Sequence, residues 1–398
     1  MTLDAPDLES GNHLPVLWGS LCISGLANSA LAAGRLVLPT FTIAIGAGVP
    51  MAGLISSAMT AVSILFSHRV GRWIDSDGPL VPMALSLSMI IVAPLLYLAV
   101  PLVPVLLLTS VLTGSGAMFA HIAASRAVGE AGPPAKRSRN LGYLVLCYAI
   151  AQFFGPMAAG WSFEHVGPLW GLSCIAAFSG LALLSLLIIP HNFTRFSEVR
   201  RRSNAASKRG AFSLLALPTL RLWLSSSSVF VGVISFYPFV VAIHAVDIGL
   251  SATQAGVVLG FYASGSFVAR LVTPIALRLM QREWLIVCAL MMGCVEYALI
   301  PMTHEFETFA LFSGVLGLSL SIGVPLTLGL IYDTAPTGNE NGAVGLGTAM
   351  SNILQTALPL SLIVLPVSLG IGPMLWALAV VMAVLGLIIF RHQLRGAK

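Results

Sequence analysis

The placement of lysine and arginine constrains this chain more than any other feature. Of its 20 basic residues, all but Arg35 fall on one side of a series of long apolar stretches. Lys and Arg flanking a membrane span stay on the cytoplasmic side during insertion, so their distribution reports both the number of spans and their orientation. The pattern predicts an all-α integral membrane protein with twelve transmembrane helices and both termini in the cytoplasm. Composition agrees: the chain is 57% hydrophobic and 9% charged, with a mean hydropathy of +0.93. Water-soluble domains carry about 25% charged residues, which excludes that class. A helix crossing a bilayer needs about 20 residues, so twelve use about 240 and leave short connections.

Hydropathy and helix breakers together place spans near 15–45, 51–67, 82–100, 103–127, 141–161 and 169–189. A second set follows near 219–246, 252–272, 284–302, 308–332, 343–366 and 372–390. Pro39 is expected to bend or end the first helix, because proline lacks a backbone donor and clashes with the preceding turn. Cytoplasmic loops then hold Arg69 with Arg72, the cluster Lys136, Arg137 and Arg139, and Arg278 with Arg282. Opposite loops carry Glu164, Asp247, Glu305 and Glu307 without Lys or Arg.

The net charge of +5 is dispersed among these loops, so it reads as topology and not as a nucleic-acid surface. The first apolar stretch is far longer than a signal-peptide core and reads as a retained helix. Five cysteines lie in apolar spans without metal-type spacing and act as small hydrophobes.

The two halves repeat at a constant offset of 203 positions. Gly46 matches Gly249, Ala52-Gly53 matches Ala255-Gly256, Gly114 matches Gly317, and Pro133 matches Pro336. Glu130 matches Asp333, Gly142 matches Gly345, Gln152 matches Gln355 and Pro156 matches Pro359. Each half has an even number of helices, so the repeat is parallel, about an axis normal to the membrane. The expected organisation is a six-helix bundle at 1–189, a basic cytoplasmic linker at 190–213, and a second six-helix bundle at 214–398. Two such halves rocking about a central site is a known transporter design.

Local motifs give this pattern a resemblance to the major facilitator superfamily. Gly71-Arg72-Trp73-Ile74-Asp75-Ser76-Asp77-Gly78 resembles that family's signature loop, although Ser76, Pro79 and Leu80 stand where basic residues are usual. The resemblance implies a latching role for Asp75, with Gly71 and Gly78 forming the turn. Arg69 or Arg72 facing Glu130, and Arg278 or Arg282 facing Asp333, would supply charge pairs of similar purpose. Gly142, Ala151, Gly155-Pro156 and Ala159-Gly160 resemble the Gly-Pro motif of the family's antiporters, with ordinary helix packing as the alternative reading. The resemblance further implies a small-molecule substrate, a protein that works as a monomer in the lipid bilayer, and a bacterial cytoplasmic (inner) membrane as its location.

Few polar groups lie within the spans. Arg35 is the leading candidate: a guanidinium there either holds an anionic substrate group in a central cavity or snorkels toward the headgroups. Glu296 either carries a proton or makes a structural hydrogen bond. His121 either meets substrate and titrates near neutral pH or packs in the core. Asn28, Gln152, Gln355 and Tyr237 are further candidates for the cavity, with helix-to-helix bonds as the alternative.

These residues point to a secondary transporter exporting a small organic compound in exchange for protons. Import of an organic anion or metabolite is the second reading. No cofactor is expected, the proton gradient supplying the energy. Membrane enzymes would need clustered carboxylates, a nucleophile–histidine pair or an HExxH-type motif, and the sequence offers none. Phosphate-cradling glycine loops are also missing, which argues against direct ATP use.

Overall fold

The computed structural model describes residues 13–131, 136–188, 211–336, 339–363 and 370–396. Within them lie twelve α-helices. The first six are α1 (His13–Ala44), α2 (Gly48–Asp77), α3 (Leu80–Ala99), α4 (Val103–Glu130), α5 (Arg137–His165) and α6 (Pro168–Ile188). The second six are α7 (Pro218–Asp247), α8 (Ala252–Leu279), α9 (Arg282–Leu299), α10 (Phe306–Thr334), α11 (Glu340–Leu360) and α12 (Gly372–Gly396). Among the described residues, ten helical stretches are long and apolar enough to cross a membrane; α2 contributes the shorter apolar stretch Gly48–Ala61, and α11 is interrupted by polar side chains. A helix satisfies every backbone group internally, which a hydrocarbon environment demands. The linker expected at 190–213 lies outside the described residues except for its last three positions.

Hydroxyl side chains inside these helices mostly bond back to the preceding turn. Ser20 donates to Val16, Ser228 to Leu224 and Thr327 to Gly323. One expectation is corrected in part. Of the two outcomes expected at Pro39, ending is excluded: the first helix runs on to Ala44, as far as the expected span. Thr40 and Thr42 donate to the carbonyls of Leu36 and Leu38 at 2.8 and 2.7 Å, supplying side-chain bonds around the proline.

A second correction concerns α2, which continues ten residues past the expected end, so Arg69 and Arg72 are helical and not in a loop. Gly71 is inside the helix too; the turn comes only at Gly78, whose φ of 82° favours glycine. Hydropathy reports where a helix leaves the bilayer, not where it stops being a helix. The start of α8 follows the local rules closely. Ser251 accepts from the Gln254 N–H at 3.2 Å, and the Gln254 side chain accepts from the Ser251 N–H at 2.9 Å, a reciprocal cap.

The 203-residue repeat recurs in three dimensions. In the first half α4 lies so close to α2 that a Cβ on Gly114 would sit 1.9 Å from the Met59 carbonyl oxygen. In the second half the equivalent Gly317 would meet the Tyr262 carbonyl oxygen at 2.0 Å. Both pairs differ by 203 in each member. These contacts join helices of the same half, so they persist in any conformation that keeps each half rigid. Gly114→Ala or Gly317→Ala is therefore expected to lower the melting temperature and the folded yield. Overpacking of this kind costs about 1–3 kcal/mol, and thermal unfolding of the purified variants would read it.

The largest core cluster belongs mainly to the second half, around Phe230, Tyr237, Tyr297 and Phe309. Leu36 and Ala52 of the first half join it. A separate cluster around Val37, Phe41, Ile55 and Ile175 serves the first half. Large apolar side chains such as Leu187, Leu271, Leu311 and Val380 remain exposed, as expected of surfaces facing lipid.

Candidate functional site

The two halves meet closely toward the end of the bundle that carries the α1–α2 connection. A Cβ on Gly53 of α2 would lie 2.5 Å from the Pro359 carbonyl oxygen of α11. A Cβ on Gly256 of α8 would lie 2.7 Å from the Pro156 carbonyl oxygen of α5. These two contacts are the same contact viewed from each half, since 53 pairs with 256 and 156 with 359 under the offset. Glycine lets the helices approach to backbone distance. Gly160 reinforces the seam, its Cβ position being 2.2 Å from the Ala252 carbonyl oxygen. Ser57 donates to the Thr356 carbonyl at 2.9 Å, and Glu164 accepts the Thr253 N–H at 3.1 Å, both across the two halves.

Between this seam and the opposite, basic end lies a cavity of about 300 Å³. From α1 it is lined by Ser24, Asn28, Leu31 and Arg35, one stripe at helical spacing. From α2 come Ser56, Met59 and Thr60; from α4 Met118 and His121; from α5 Tyr148 and Gln152. The second half adds Ser235, Pro238 and Phe239 of α7 with Asn352, Gln355 and Pro359 of α11. The repeat-related Gln152 and Gln355 thus line the same space from opposite halves. Asn28 donates to the Tyr148 carbonyl at 3.3 Å, the His121 ring lies 5.1 Å from that of Tyr148, and Gln355 donates to Asn352 at 3.3 Å.

Arg35 carries the only permanent charge among the described lining residues, and no carboxylate lines the cavity with it. Among the described residues its guanidinium has neither an ion pair nor a hydrogen bond; Tyr262 of the second half is the group within its electrostatic reach. A cation in a water-accessible cavity, with its donors free, is an anion-binding group by its chemistry.

Five of the seven side chains expected at the cavity line it: Asn28, Arg35, His121, Gln152 and Gln355. The other two are corrections. Tyr237 is fully buried in the core of the second half and hydrogen-bonds to Ser313. Glu296 is 4% exposed and accepts from Ser319 at 3.0 Å, facing α10 beside a surface groove. The α9 helix packs on α10 and α12, so its polar side chain turns toward α10 and not toward the other half.

Gly155 backs α1, with its Cβ position 2.6 Å from the Ser29 carbonyl oxygen, while Pro156 belongs to the seam. Of the arginines expected near Asp333, Arg282 makes the bond at 2.7 Å, with both side chains about half exposed, and Arg278 is exposed at the end of α8. Arg72, Asp75 and Glu130, assigned to the latch, have side chains outside the described residues.

Sequence reasoning passed over Ser24, Ser56, Thr60, Tyr148 and Ser235. Two of these were findable: Ser24 stands four residues before Asn28, and Tyr148 four before Gln152, each on the face already marked by a polar group.

A family model described as the Major Facilitator Superfamily matches residues 17–295. A comparison with curated proteins finds no match. Among solved structures, a peptide transporter, POT, in complex with sulfate is 14% identical with a TM-score of 0.77, covering 96% of this chain and 94% of that one. A mutant of the nucleoside transporter NupG is 11% identical with a TM-score of 0.74, over 94% of this chain and 98% of that one. A bacterial homologue of the iron transporter ferroportin, in an inward-facing state, is 15% identical with a TM-score of 0.73, over 95% and 98%. At these identities the likeness is one of fold.

Proposed function

The chain belongs to the Major Facilitator Superfamily, and from that premise we propose that it moves a small organic solute bearing an anionic group, by alternating access through the Arg35 cavity. It is a multi-pass membrane protein of a transporter family. In this reading the twelve helices all span the membrane and both termini are cytoplasmic. The seam holds the outer face closed while the cavity communicates with the cytoplasm. The single observation that carries the proposal is the guanidinium of Arg35, without an ion pair among the described residues, in a cavity whose described lining is otherwise uncharged and polar or apolar, with no carboxylate. A cationic solute would be repelled there and would find no counter-charge, whereas a carboxylate or phosphate would gain charge-assisted hydrogen bonds.

The direction we propose is export in exchange for protons, supported by the Gly155-Pro156 pair of α5 at the junction with α1 and α8. His121, exposed in the cavity, is the lining group whose ordinary range reaches neutral pH. Proton-coupled import is favoured by a different feature, the same Arg35: an anion enters a negative-inside cell against the potential and needs co-transported protons.

Purified protein in liposomes with an internal pH-sensitive dye separates these. Anionic, neutral and cationic compounds are presented under an imposed proton gradient. Export predicts proton flux opposite to solute movement, evoked by anions. Co-directional flux would establish import, and a response confined to cations would refute the anion reading.

A further inference from the structure

We infer that the phenol of Tyr262 is the second half of the anion site, so that one bound carboxylate or phosphate is held by Arg35 from the first half and by Tyr262 from the second. The inference rests on the reading that Arg35 binds an anion. Tyr262 of α8 is 4% exposed, and its hydroxyl is fully buried without a hydrogen-bond partner. Buried hydroxyls are ordinarily paired, so an orphan is retained at a cost and calls for an explanation.

Its neighbours sharpen the anomaly. Tyr262 packs against Tyr237, ring centroids 4.8 Å apart, and Tyr237 packs against Tyr297 at 6.4 Å. Tyr237 spends its hydroxyl on Ser313, and Tyr297 donates to the Val233 carbonyl at 3.0 Å. Of three packed tyrosines, only Tyr262 keeps a free donor. The charged groups acting on it are Arg35 first, then Arg270 and Glu296.

The repeat supplies an independent argument. The counterpart of Tyr262 is Met59, and both present their backbone carbonyls to the equivalent glycines Gly317 and Gly114. Met59 lines the cavity. The second half therefore places a hydrogen-bond donor at the position whose first-half counterpart, a thioether, lines the cavity. A phenol donates one hydrogen bond and a guanidinium several, while a carboxylate accepts from both at once. Binding would then satisfy the orphan hydroxyl and tie the two halves together, which makes the anion itself a ligand that favours the conformations bringing Arg35 and Tyr262 together.

Tyr262→Phe deletes the hydroxyl and leaves the ring. The purified full-length protein is titrated with acetate, benzoate, succinate and inorganic phosphate, following the melting temperature. Without anion, Tyr262→Phe should melt at or above the wild-type temperature, because no existing bond is lost. For the anion that stabilises the wild type, its affinity should fall roughly tenfold, while Arg35→Ala should lose the response. Wild-type affinity in Tyr262→Phe alongside loss in Arg35→Ala would overturn the role of Tyr262 and leave that of Arg35 intact. An anion response retained in Arg35→Ala, or absent from the wild type, would overturn the underlying reading and the inference with it.

Discussion

Arg35→Ala is expected to abolish transport while the protein still inserts and folds. The guanidinium makes no ion pair or hydrogen bond with a described residue, so its removal breaks nothing that holds the helices together. Hydrogen bonds to charged groups contribute about 1.5–3 kcal/mol each, so a two-point hold on an anion is worth about 3 kcal/mol or more, over a hundredfold in affinity. Arg35→Lys keeps the charge but not the planar fork, and should recover part of the activity with affinity weakened by roughly tenfold. Uptake into liposomes, beside a folding check by thermal unfolding, reads both variants. Full transport by Arg35→Ala would remove the site from the account.

The second large effect comes from two glycines of the seam. Gly53→Ala and Gly256→Ala each drive a Cβ into a backbone carbonyl of the other half, at 2.5 and 2.7 Å. A carbonyl cannot swing aside as a flexible side chain can, so the halves must separate. Overpacking costs about 1–3 kcal/mol, which moves a two-state population roughly five- to hundredfold toward the state in which the seam is open. Transport should fall steeply, since the cycle passes through both states. Melting temperature should change little, because neither contact lies within a half. This is the opposite of the Gly114 and Gly317 variants, whose contacts are internal to a half. Spin labels at Val166 and Val246, exposed near the seam end of α5 and α7, would report the separation as a longer distance in both seam variants. An unchanged distance distribution would mean that the seam is not a gate.

How far the sequence reached depended on what each signal measures. Hydropathy and helix breakers placed a segment on each of the twelve described helices, because long apolar runs are what such helices are made of. The extension of α2 through Gly71 to Asp77 escaped them, since a helix outside the bilayer leaves no hydropathy signal. Arg35, Gln152 and Gln355 stood out as costly polar groups in apolar surroundings, and one cavity gathers them. Ser24 and Thr60 did not, because a hydroxyl in a helix can satisfy itself on its own backbone.

Glu296 was as conspicuous as Arg35 but lies elsewhere. One chain's sequence does not say which neighbour an α9 side chain meets. The repeat pairs 53/256 and 156/359 were visible as identities, yet only the packed halves reveal that each glycine seats on the other half's proline.

The central claim is that one cavity, open toward the basic end in this state, is exposed in turn to each face of the membrane. It is tested most directly by a single cysteine at Asn352, in the cavity wall, with the five native cysteines replaced. A membrane-impermeant thiol reagent is applied from each side in vesicles of known orientation. The account predicts reaction from the cytoplasmic side, and added reaction from the outer side once Gly256→Ala is introduced. Reaction from the outer side alone in the otherwise unaltered protein, or from neither side, would contradict it.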